Sequence, residues 1–330
     1  MVTVACRAAA ILLTLSVTVV ADKREVVDIY AQEGGDIVQL MGPGRNTLQH
    51  NALPVDADEK WPVTDKQTVH IPYEFDPTYS AEDREVILLA MERIENGTCV
   101  RFAERFDEAD HVYFANRPGQ GCFSYVGRRP GRNAVVLEST PLKTCVHHGT
   151  VVHELLHVLG LWHEHTRPDR DEFVLVLDEN IADGYQGQFI KSDWTETHGV
   201  PYDYLSVLHY PNTAFGRDGQ RTLVAKQGRF DDFMGHAEDA SAYDLLKICQ
   251  VYQCQSCPAE IEAVERYEAE QIASESTTTE TASTEEEPAT SCADEGSRCM
   301  IASSNKERAK RLCSTSRYFK KKCQKTCQLC

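Results

Sequence analysis

An α+β domain, with short segments attached before and after it, is the fold predicted for this 330-residue chain. Three observations predict it. The first half alternates strand-like runs with amphipathic helical runs, the second half is irregular and closes on a helix, and composition changes sharply after Cys257. The chain is also longer than one average domain, so boundaries are expected.

The chain opens with Arg7, the apolar run Ala8–Val20, and the small residues Val19 and Ala21. That run is shorter than the roughly 20 residues a bilayer span needs, so residues 1–21 read as a cleaved secretory signal. No other stretch is apolar enough to cross a membrane. Residues 22–50 carry Gly34, Gly35, Gly42, Pro43 and Gly44 without amphipathic period, and read as a pro-segment. The domain proper is expected over residues 51–257.

Within it, His70–Phe75 alternates apolar and polar side chains like a strand. Ser80 then caps a helix to Ile94, with Asp83 three residues on and apolar positions at Val86, Leu89, Ala90 and Ile94. His111–Phe114 and Ala134–Leu137 are further strands, separated by the turn-rich Arg117–Gly121. A helix follows at Gly149–Leu159, and another is expected from Ser241 to Tyr252. Residues 258–291 hold ten Glu against one Arg and include a Ser/Thr-rich stretch. Such a segment buries too little apolar surface to offset its ordering entropy, so it reads as a linker.

The chain has thirteen cysteines, of which Cys6 leaves with the signal. Six of the remaining twelve lie between Cys99 and Cys257 and six between Cys292 and Cys330, a disulfide framework suited to the extracellular space. The net charge of −17 conceals an asymmetry: residues 292–330 carry ten Lys or Arg against three Asp or Glu, +7 in all, which leaves −24 for the rest. The acidic bulk argues against a nucleic-acid partner, while the basic tail suits an acidic docking partner.

His153-Glu154-Leu155-Leu156-His157 places two imidazoles at i and i+4 on one helical face, within reach of one metal ion. Glu154 beside them is placed to take a proton from the attacking water. Gly160 allows the φ > 0 that a sharp turn needs, so His163 can approach from a new direction as third ligand. Three neutral nitrogens with one open position suit a single catalytic Zn²⁺. His148, His165 and His209 read as structural, because three nitrogens already complete such a site.

The run His148–Arg167 resembles the active-site signature of the astacin metalloproteases. Tyr202–Tyr210 resembles the family's Met-turn, with Leu208 where methionine is usual. Thr98–Phe102 and Gly121–Gly127 add to a likeness that spans about Asn51 to Cys257. The resemblance implies two subdomains flanking a zinc cleft and a secreted zinc endopeptidase that hydrolyses extracellular proteins and is made as a zymogen. It implies that His153, His157 and His163 ligate zinc, that Glu154 is the general base, and that Tyr210 is a further ligand that swings to stabilise the oxyanion. Glu164 is implied to bind the N-terminus freed on activation, and Cys99–Cys254 and Cys122–Cys145 are implied as disulfides, which leaves Cys249–Cys257. Exchange of methionine for Leu208 conserves volume, at a cost below about 1.5 kcal/mol.

Glu33-Gly34-Gly35-Asp36 is similar to the element of astacin pro-segments whose aspartate caps the zinc, with Glu33 in place of phenylalanine; Asp36 is thus the candidate latency residue. Asn96-Gly97-Thr98 is the glycosylation sequon. The tail, residues 292–330, resembles the ShKT module, which implies Cys292–Cys330, Cys299–Cys323 and Cys313–Cys327. A rival reading is a catalytically weak binding protein that acts as an adaptor through that basic module. Loss of a ligand or of Glu154 would favour the rival, and none is lost.

Overall fold

The computed structural model describes residues 24–30, 35–37, 52–64, 67–191, 196–259 and 263. The expected signal, most of the linker and the whole cysteine-rich tail, with its expected Cys292–Cys330, Cys299–Cys323 and Cys313–Cys327 pairs, lie outside the described residues.

In chain order the elements are β1 (Glu25–Val26), β2 (Val69–Phe75), α1 (Ala81–Gly97), β3 (Val100–Glu104), β4 (His111–Ala115), β5 (Cys122–Phe123), β6 (Arg132–Leu137) and β7 (Lys143–Thr144). Then come α2 (His148–Val158), β8 (Val174–Val176), β9 (Leu223–Ala225) and α3 (Ala242–Tyr252), with short 3₁₀ turns between them. The main sheet has the order β3-β2-β4-β6-β5, parallel except for the antiparallel β5 at its edge. Strands β8 and β9 form a separate antiparallel pair, and β1 runs parallel to β7.

All three expected helices form, α1 and α3 behind side-chain caps and α2 without one. Ser80 accepts from the Asp83 amide, and Ser241 and Asp244 form a reciprocal capping box at the start of α3. The buried face of α1 differs in phase from the expectation: Ile87, Ala90, Met91 and Ile94 are buried, whereas Val86 and Leu89 are only half-buried. Asp83 lies on that same buried face, where its carboxylate meets Ser139 Oγ and Arg24. The second half contains β8 and β9, strands too short to show a period in the sequence.

Two large apolar clusters form among the described residues, beside a small one of Val200, Tyr243 and Ala263. The larger joins α1, α2, α3 and the main sheet, with Trp61 buried in it and donating from Nε1 to Val158 O at 3.0 Å. The second is rich in aromatics and gathers Phe189, Tyr202, Tyr204, Tyr210 and Phe215 with Val174 and Leu223. The three expected pairs Cys99–Cys254, Cys122–Cys145 and Cys249–Cys257 are disulfides. Cys99–Cys254 closes a span of 155 residues, which on the chain-entropy account stabilises the fold by up to about 5 kcal/mol. Among the described residues no helix is long and apolar enough to cross a membrane.

Candidate metal centre

Helix α2 is buried on nearly every side, and His153 and His157 lie one turn apart on it. The helix ends in a Schellman motif: Leu161 N donates to Leu156 O at 3.0 Å and Gly160 N to His157 O at 2.8 Å. Gly160 has φ +101°, and a Cβ there would lie 2.6 Å from Leu53 Cδ1, so glycine is needed both for the turn and for the close approach of Leu53. The reversed chain then brings His163 back over the helix, and Glu164 N fixes it by donating to Leu208 O at 3.0 Å.

The three imidazoles meet Asp36, which stands far earlier in the chain. Their nitrogens and one Asp36 oxygen all lie within 4.8 Å of one another, and all four residues are buried. Asp36 Oδ2 is 2.6 Å from His153 Nε2, 2.8 Å from His163 Nε2 and 3.6 Å from His157 Nε2. The Nδ1 atoms are committed elsewhere: His153 Nδ1 donates to Val207 O at 2.8 Å and His157 Nδ1 to Leu161 O at 2.7 Å. With protons on Nδ1, the two Nε2 lone pairs face each other at 3.0 Å. Such lone pairs repel unless a cation lies between them, so the donor set fits a divalent metal of nitrogen preference, zinc first.

Electrostatics agree for two of the rings, while at His153 burial acts to lower the imidazole but Asp36 raises it. Burial holds His157 down to about 4 and lowers His163, so both rings are neutral ligands at pH 7. Burial acts to raise Asp36, but its contacts with His163 and the other two rings hold it well below the usual carboxylate range. Glu154 is fully buried, with neither side-chain oxygen hydrogen-bonded to protein. Burial pushes its carboxyl up to about 8, and a dication among the histidines would draw it back down. A buried carboxylate with two spare acceptors beside a metal is placed to take a proton from water.

Tyr210 is buried, its ring stacked on His165 at 3.9 Å and 4.5 Å from His163. Its hydroxyl points to Gln188 Oε1 at 3.4 Å, while Asp36 holds the position nearest the three nitrogens. His148, His165 and His209 stay out of the cluster and bond Asp239, Gln188 O and Tyr210 O respectively. Leu208 is buried in the larger apolar cluster, and its carbonyl accepts from Glu164 N.

Glu164 is buried and already surrounded by charge: Lys247 Nζ contacts Oε2, Arg167 Nη1 lies 3.3 Å from Oε1, and Asp203 N donates to Oε1 at 2.8 Å. Sequence reading missed Lys247, Arg167 and Tyr30. A lysine inside the apolar stretch of α3 was the one available signal for the first.

A sequence profile of the Astacin peptidase family matches residues 56–253. The chain belongs to the astacin family. It is 36% identical over 260 residues to zinc metalloproteinase nas-5 of Caenorhabditis elegans, covering 74% of this chain and 72% of that protein. It is 36% identical over 220 residues to low choriolytic enzyme of Oryzias latipes, covering 67% of this chain and 77% of that protein. Among solved structures, high choriolytic enzyme 1, a hatching enzyme zinc-protease from Oryzias latipes, aligns with TM-score 0.57 and 31% identity over 62% of this chain and all of that one. This astacin is a zinc metalloendopeptidase, and its buried imidazole cluster fits the one zinc ion that the family uses.

Proposed function

We propose that this astacin is secreted as a zymogen and held latent by residues 22–50, with Asp36 in the place that substrate and water take in the active enzyme. The observation that carries the proposal is the approach of Asp36 Oδ2 to His153 and His163, at 2.6 and 2.8 Å. Asp36 is supported in turn by the edge of the sheet, where Ser124 N donates to Asp36 O at 3.0 Å. Tyr30 supplies the aromatic group that Glu33 does not: its ring lies 5.0 Å from that of Tyr210 and 6.1 Å from that of His153, so it keeps Tyr210 from turning inward.

His153, His157 and His163 would hold the zinc, which would supply the Lewis acidity to polarise the scissile carbonyl and acidify the attacking water. Once Asp36 is withdrawn, Ser124 N is free to bind a substrate carbonyl along the β5 edge. Glu154 takes the proton from the water and passes it to the leaving amine. Tyr210, released from Tyr30, turns its hydroxyl toward the oxyanion. The two apolar clusters are read as the two subdomains, and Asn96, exposed near the end of α1, as a glycosylated site. Residues 292–330 are read as an ShKT docking module beyond an acidic linker, and the substrates as extracellular matrix or secreted proteins.

Secreted full-length chain tests the reading. It should hydrolyse a casein or peptide substrate only after limited proteolysis, with N-terminal sequencing placing the new start near Asn51. The Asp36→Asn chain should show activity before cleavage. Full activity of a wild-type chain that still carries residues 22–37 would overturn the latency proposal.

A further inference from the structure

Residues 24–30 lie along β7 on the way to the zinc cluster, and their first side chain enters a polar socket. Arg24 Nη2 donates to Asp83 Oδ1 at 2.9 Å, and Arg24 Nη1 donates to Ser139 Oγ at 2.6 Å. Ser139 Oγ in turn donates to Asp83 Oδ2 at 2.8 Å. The Asp83 side chain is 4% exposed and that of Arg24 21%.

The socket is built by the peptidase domain itself. Ser80 caps the turn of α1 that carries Asp83, accepting from its amide at 3.1 Å. Asn116 clasps Ser139 from both sides, accepting from Ser139 N at 2.8 Å and donating to Ser139 O at 2.9 Å. None of these partners belongs to the pro-segment, so its departure leaves Asp83 and Ser139 oriented and without their guanidinium. A pre-positioned carboxylate and hydroxyl match the fork of an arginine side chain better than any other group a peptide offers.

We propose that Asp83 and Ser139 form a substrate subsite for an arginine side chain, filled by Arg24 in the zymogen and vacated on activation. This rests on the zymogen reading above. The reach follows from the pro-segment: Arg24 and Tyr30, which packs beside His153 and Tyr210, are six residues apart, and that interval, which includes a turn at Ile29–Tyr30, spans at most roughly 20 Å. An extended substrate that lies along β7 therefore needs at most about six residues between its arginine and the scissile bond.

The test is an arginine scan. Activated enzyme is given peptides of one cleavable core with a single arginine moved from four to eight residues away on either side, and matched peptides with neutral citrulline. The expected result is kcat/KM raised about tenfold at one or two adjacent positions, lost with citrulline and lost in Asp83→Asn, while the peptide without arginine is cut at the wild-type rate. Equal rates at all positions, or a gain that survives citrulline or Asp83→Asn, would overturn the subsite. A second readout needs no catalysis: a labelled peptide of residues 22–37 should bind the activated enzyme in fluorescence anisotropy, and citrulline at position 24 should weaken it about tenfold. Unchanged binding sinks the proposal even where the peptidase assay fails, and an inactive enzyme that discriminates the two peptides refutes only the catalytic reading. The citrulline arms leave the protein unaltered, so they decide the matter if Asp83→Asn does not fold.

Discussion

Replacing Lys247 with methionine removes the cation closest to Glu164 at similar volume. Both side chains are about 2% exposed or less, so solvent cannot take over the lost partner. Arg167 remains at 3.3 Å, but its Nε and Nη2 are each committed to Asp169 at 2.8 Å. Breaking a buried pair from one side costs about 3–5 kcal/mol. The remaining arginine and the Asp203 amide favour the low end, about 3 kcal/mol, which for a domain of this size lowers Tm by about 6–12 °C. The double variant Glu164→Gln/Lys247→Met, which leaves no lone charge, should recover most of the loss.

The pH dependence supplies a second check. Burial acts to raise the Glu164 carboxyl, but Lys247 and Arg167 hold it below its ordinary 4.5. A group with a depressed folded-state pKa contributes stability that is complete above its unfolded value and is lost as pH falls through the folded one. The gap between wild type and Lys247→Met should therefore be widest near neutrality and close in acid below 4.5. Thermal melts of the zymogen from neutral to acid pH measure both effects. A Tm drop under about 2 °C at pH 7, or a double variant no better than the single, would falsify the claim that Lys247 carries this network.

Glu154→Ala should lower kcat at least about 10²-fold while bound zinc stays at one per chain, checked by peptide hydrolysis and metal analysis. Tyr210→Phe should cost about 10²-fold in kcat with KM nearly unchanged, since its hydroxyl acts on the oxyanion and not on the bound substrate. Gly160→Ala puts a Cβ against Leu53 at a residue of φ +101°, which should displace His163 and reduce zinc retention in dialysis against a weak chelator.

Much of the centre is legible in the chain because its geometry is local. Two histidines four apart on a helix share a face whatever surrounds them, and Gly160 is needed wherever a helix must reverse over so few residues. The caps at Ser80 and Ser241 are local in the same sense, since each bonds an amide three residues away. The phase of α1 is less so: Val86, Leu89 and Ile87 are equally apolar, and which of them turns inward depends on the elements packed against the helix.

The burial and charge of the centre come from long-range packing. Asp36 reaches His153 across 117 residues, Lys247 reaches Glu164 across 83, and Arg24 reaches Asp83 across 59. Resemblance to a family pointed to Asp36, but no periodicity carries such a pairing. A hydrophobic pattern tells each element which side to bury and leaves open which element it will meet. Local pattern alone specifies a zinc helix with two histidines and the base, and the turn that returns a third; packing is what brings the carboxylates and cations of distant segments together out of water, where their charges govern one another.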